Sequence, residues 1–98
     1  MFRNKSYDEE LSERLQNPKY VRGFLLALME GSEGLELEEA LRITITRMGL
    51  KEFSRMSKVA APNVVRMLKG RIPPTLYMLD RFLKPFGLRT KILVEKAA

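Results

Sequence analysis

The chain has 98 residues, 45% hydrophobic and 31% charged, a globular composition with room for one core, so neither disorder nor a second folding unit is expected. Cysteine and histidine are both absent, which removes disulfides, thiolate nucleophiles, imidazole acid–base chemistry and the usual zinc sites, so no enzyme activity, metal or cofactor is expected. The net charge of +6 is unevenly spread: residues 1–39 carry nine acidic and five basic side chains (−4), residues 40–98 thirteen basic and three acidic (+10), which points the second half at a polyanion.

In chain order, Ser6 is the expected cap of a short helix that carries Asp8, Glu9 and Glu10 in its first turn and ends near Gln16. Asn17-Pro18 starts a second helix, with Tyr20, Phe24, Leu25 and Leu28 as its buried face, and Gly31, Ser32 and Gly34 close it. From Leu35 to Met48 two periods compete. Leu41, Ile43 and Ile45 alternate with Arg42, Thr44 and Thr46 as in a strand, whereas Leu37, Leu41, Ile45 and Met48 share one helical face. Glu36, Glu38 and Glu39 at the start and Arg47 at the end suit a helix dipole, and helix is the reading adopted.

Gly49 closes that helix. Leu50, Phe53 and Met56 open a short one, Ser57-Lys58-Val59 make a tight connection, and another helix runs from Ala61 to Lys69 with Pro62 in its first turn and Gly70 as its stop. Ile72-Pro73-Pro74 is extended, Leu76, Leu79, Phe82 and Leu83 mark a last helix, and Pro85 and Gly87 end it. Leu88 to Glu95 alternates, with Thr90, Ile92 and Val94 on one side, and is the one strong strand candidate; its unpaired backbone edges favour pairing with an N-terminal segment or with the same strand of a second chain, which points weakly to a homodimer. No apolar run approaches the roughly 18–20 residues of a bilayer span, and no signal-peptide pattern is present, so a cytoplasmic, membrane-free protein is expected.

The order between Leu50 and Leu68 is short helix, tight turn, short helix, the helix-turn-helix arrangement whose second helix can enter the DNA major groove. Ser54 is small enough to let the helices approach, Val59 plugs the turn, and Val64 with Met67 or Leu68 point inward. The competing reading is a helical bundle with an accidental hairpin of two helices.

These residues carry a resemblance. Phe53-Ser54 to Val59, Ala60 to Leu68, Pro74-Thr75-Leu76 and Leu83 to Leu88, with Tyr7-Asp8, Asn17 to Val21 and Leu25 to Glu30 upstream, resemble the Xre/Cro-type regulators known as putative addiction-module antidote proteins, the HigA-like antitoxins. Nearly the whole chain is covered, and Ala60 to Leu68 is the most specific part. The resemblance implies a lambda-repressor-like fold and a cytoplasmic bacterial or prophage repressor of its own operon, usually dimeric and paired with a small RelE-like toxin. One departure is Lys58, where many such turns carry glycine; it requires a left-handed backbone or another turn.

The expected fold is therefore all-α, five to six helices around a central helix-turn-helix with a short C-terminal β-strand. It forms one domain: an acidic helical leader (1–34), a DNA-binding helical core (35–87) and a C-terminal strand and tail (88–98). Asn63, with amide geometry for adenine, and Arg66, able to fork onto guanine or clamp a phosphate, are the base-reading candidates. Ala61 and Pro62 suit thymine methyls or simply start the helix, and Val65 is a further DNA-facing candidate. Lys51, Lys58, Lys69 and Arg71 flank the pair and suit phosphates. Two copies would set their second helices in successive major grooves about 34 Å apart, on an inverted repeat of double-stranded DNA. The acidic first third reads as a solvated helix face pointing away from DNA, with a docking surface for a basic toxin as the alternative. A protein-interaction module that mainly sequesters such a toxin is the rival function.

Overall fold

The computed structural model describes residues 7–32, 34–71 and 73–97. Ser6 and Ile72 lie outside the described residues. Six helices run in the order α1 (Tyr7–Arg14), α2 (Pro18–Glu30), α3 (Leu37–Met48), α4 (Leu50–Ser57), α5 (Ala61–Lys69) and α6 (Leu76–Leu83), followed by a 3-10 turn over Lys84–Phe86. The fold is all-α among the described residues.

Local chemistry sets the boundaries. The Asn17 side chain accepts the Lys19 N–H at 2.9 Å and Pro18 occupies the first turn of α2, satisfying one donor and removing another where helices leave N–H groups unpaired. Thr75 caps α6 by accepting from the Met78 N–H at 3.2 Å. Gly70 stops α5 at φ 65°, a left-handed conformation that only glycine adopts without strain.

Residues 37–48 settle as helix, burying Ala40, Leu41, Thr44, Ile45 and Met48. The helical period wins because α3 packs against α1, α2 and α4 and so needs a broad apolar face. Thr44, buried there, donates its hydroxyl to the Ala40 carbonyl at 2.8 Å. The face of α2 is rotated from the expected one: Val21 and Leu25 are buried, Phe24 and Leu28 half-buried, and Tyr20 lies at the surface. The acidic leader is no appendage. Leu11, Leu15, Val21 and Leu25 join the same core as Ile45, Phe53 and Phe82, and Arg47 donates to Asp8 across 2.8 Å to tie α1 to α3. Phe53 is the centrepiece, with ring centroids of Phe82 and Phe86 at 5.6 and 6.1 Å in tilted contact.

The C-terminal strand is not formed. Residues 88–97 contain neither helix nor strand. Alternation prepares a chain for pairing, but a strand exists only with a neighbour to pair its N–H and C=O groups, and none stands beside it among the described residues. Thr90 instead gives both its N–H and its hydroxyl to Asp80 Oδ1, each at 2.7 Å, anchoring the tail to α6.

Candidate nucleic-acid interface

Helices α4 and α5 meet across residues 58–60, and three side chains finish the backbone of that turn. The Ser54 hydroxyl donates to the Val59 carbonyl at 2.6 Å, the Val59 N–H donates to Ser57 Oγ at 3.3 Å, and Arg81 donates to the Lys58 carbonyl at 3.2 Å. Ser54 thus does more than leave room between the helices. Val59 is 1% exposed beneath the turn. Lys58 takes φ 58°, ψ 28°, the left-handed conformation that its place in the turn demands, at a cost of about 1 kcal/mol for a residue with a Cβ.

Helix α5 turns Val64 and Met67 into the core. At 100° per residue, the opposite crest consists of Pro62, Val65, Arg66 and Lys69. Pro62, Arg66 and Lys69 are exposed, and Val65 and Ala61 are half-buried. Asn63 is not on the crest. It is half-buried on the flank, where with Arg66 it lines a groove closed by Pro73, Pro74, Thr75 and Met78. Lys51, on the first turn of α4, Lys58 in the turn, and Arg71 after α5 are all exposed.

Ion pairing separates these cations from the rest. Arg14 pairs with Glu10, Arg42 with Glu38 and Glu39, Arg47 with Asp8 and Arg55 with Glu52, at separations from 2.6 to 3.9 Å. The Arg55 hydrogen bond holds the Glu52 carboxyl below its ordinary range, so this pair stays ionised and mutually neutralised. Among the described residues, Lys51, Lys58, Arg66, Lys69 and Arg71 form no ion pair with a carboxylate within 4 Å, although Lys51 still feels the neighbouring Glu52.

Three groups that the sequence reading passed over extend this surface. Tyr77 and Arg81 on α6 and Lys84 just past its end line, with Lys58 and Met56, an open cleft of about 690 Å³ beside the turn. The Arg81 guanidinium lies 6.0 Å from the Tyr77 ring centroid. Among the described residues Asp80 is the one carboxylate on the cleft wall, and Thr90 occupies its Oδ1. The spacing of four and three along α6 was the available signal. No protein-family model, curated protein or solved structure matches the chain. The resemblance to the antidote regulators rests on the sequence motifs alone.

Proposed function

We propose that this chain is a sequence-specific DNA-binding transcriptional regulator in which α4 and α5 act as a helix-turn-helix of the lambda-repressor type. The supporting observation is the crest of α5: an exposed Pro62, Arg66 and Lys69 behind a braced turn, with the cations uncompensated. In this reading Arg66 forks onto a guanine edge while Val65 and Pro62 meet thymine methyls. Asn63, set back on the flank, contributes where the groove wall and the duplex meet. Lys51, Lys58, Lys69 and Arg71 hold phosphates and fix the register. The protein acts as a homodimer on an inverted repeat. Its operator lies upstream of its own gene, with a RelE-like toxin as partner, in so far as it follows the antidote regulators it resembles.

The test is a binding titration on DNA from upstream of its own gene against scrambled DNA. Arg66→Ala should cut the preference for the operator by about 10- to 100-fold while leaving scrambled DNA nearly unchanged. Lys69→Ala should weaken both DNAs alike. Equal affinity of the unmodified protein for operator and scrambled DNA at every salt concentration would overturn the assignment.

A further inference from the structure

We infer that the C-terminal tail is a pairing arm: residues 90–96 of two copies form an antiparallel two-stranded ribbon centred on Leu93. Beyond the Thr90 anchor, Ile92, Leu93 and Val94 are 68%, 79% and 88% exposed, three consecutive large apolar side chains that solvent does not favour. From Lys91 to Ala97 the backbone makes no hydrogen bond among the described residues, so a full strand edge is open. Beside the anchor lies a hollow of about 340 Å³ with Leu25, Met29, Leu76 and Leu79 on its apolar side and Arg89, Thr90 and Lys91 of the tail on the other, Leu76 itself being 48% exposed.

The sequence of the tail selects a second copy as its occupant. Facing side chains of an antiparallel pair lie on the same side of the ribbon, so a two-fold axis must pass between two copies of one residue. With Leu93 on the axis, Ile92 faces Val94 of the second copy, and Lys91 faces Glu95 of the second copy, twice over. Ile92 and Val94 thus pair on one face, and the two copies of Leu93 pair on the other, flanked by the opposite charges of Lys91 and Glu95. Moving the axis to Ile92 sets Lys91 against Leu93, and moving it to Val94 sets Leu93 against Glu95 and Ile92 against Lys96. By the two-residue period, Ile92 and Val94 share the side of Thr90, which is bound to α6.

The arm rests on the functional reading only in requiring a second copy, so it is tested without DNA. Sedimentation equilibrium of the full chain should show a dimer. Lys91→Glu and Glu95→Lys should each weaken it about tenfold, and the double exchange should restore it to within about threefold. Helicity by circular dichroism confirms that each variant folds. Because the chain lacks cysteine, Leu93→Cys introduces a single thiol that should cross-link to its own copy on oxidation faster than Ile92→Cys does. The arm is overturned by a monomer up to about 0.1 mM, by a dimer indifferent to both charge exchanges, or by equal cross-linking at the two positions. A monomer that still prefers its operator would end the arm and leave the DNA reading standing; a dimer with this pattern and no DNA affinity would do the reverse.

Discussion

At the scale of single residues, the turn before α5 holds two opposed terms. Lys58 sits in a left-handed backbone at φ 58°, while Ser54 supplies the hydrogen bond that completes the Val59 carbonyl. Lys58→Gly removes the Cβ penalty, and the greater freedom of glycine in the unfolded chain offsets part of that gain. The net stabilisation should be up to about 0.5 kcal/mol, a rise in Tm of roughly 2–4 °C at most for a domain of this size. Ser54→Ala strands a part-buried carbonyl and should lower stability by about 1 kcal/mol. Thermal unfolding of the two variants checks both signs. The same glycine variant should bind all DNA more weakly, because it deletes a cation suited to a phosphate. Lys58→Gly thus separates stability from function: the strained lysine is kept for its charge if the variant is sturdier and binds less.

At the scale of elements, the junction between α6 and the tail carries an acid dependence. The Thr90 backbone N–H, and after it the Thr90 hydroxyl, hold the Asp80 carboxyl below its ordinary range. A carboxyl depressed in the folded state stabilises at pH above its unfolded value, near 4, and that contribution fades as pH falls through the lowered folded value. Asp80→Asn should therefore lower the urea midpoint at pH 7, and the difference from the unmodified chain should shrink steadily below about pH 4. A gap that stayed constant down to pH 2 would show that the charge of Asp80 contributes nothing. Elements whose ends are marked by their own residues were legible beforehand. Helix α5 begins and ends where Pro62 and Gly70 place it, and Asn17-Pro18 starts α2. Properties that depend on a neighbour were not. The alternation of Leu88 to Glu95 describes a strand, yet pairing needs a second edge that no local pattern supplies. Tyr20 and Val21 are equally plausible core residues by periodicity, and the packing of α2 on α3 decides between them. Arg66 and Lys69 were readable as outward groups from the inward Val64 and Met67. The same rule sets Asn63 on the flank, whereas the groove that Pro73 to Thr75 close beside it, and the placing of Arg81 and Lys84 beside the turn, depend on how later segments dock.

At the scale of the whole molecule, the two-ended charge of the sequence becomes a division of labour. Acidic side chains of α1 and α3 are engaged by Arg14, Arg42 and Arg47, whereas the cations around α5 are left without carboxylate partners among the described residues. On the proposed reading a polyanion would meet an uncompensated surface, and the repulsion of the first third would be blunted by its own ion pairs. If Lys51, Lys58, Lys69 and Arg71 each hold one phosphate in both copies of a dimer, eight contacts give a slope of about −7 in log K against log salt. Fluorescence anisotropy between about 50 and 200 mM salt measures it, with an expected loss of roughly four decades in affinity over that range. Lys69→Ala should make the slope shallower by about 2, one unit for each copy, on operator and scrambled DNA equally. The chain has no histidine, so no side chain with an ordinary pKa changes charge between pH 6 and 8, and the affinity should vary less than about twofold across that window. A slope shallower than about −3 would mean that most of these four lysines and arginines lie off the duplex, and the surface around α5 would then have to be reassigned to a less highly charged partner.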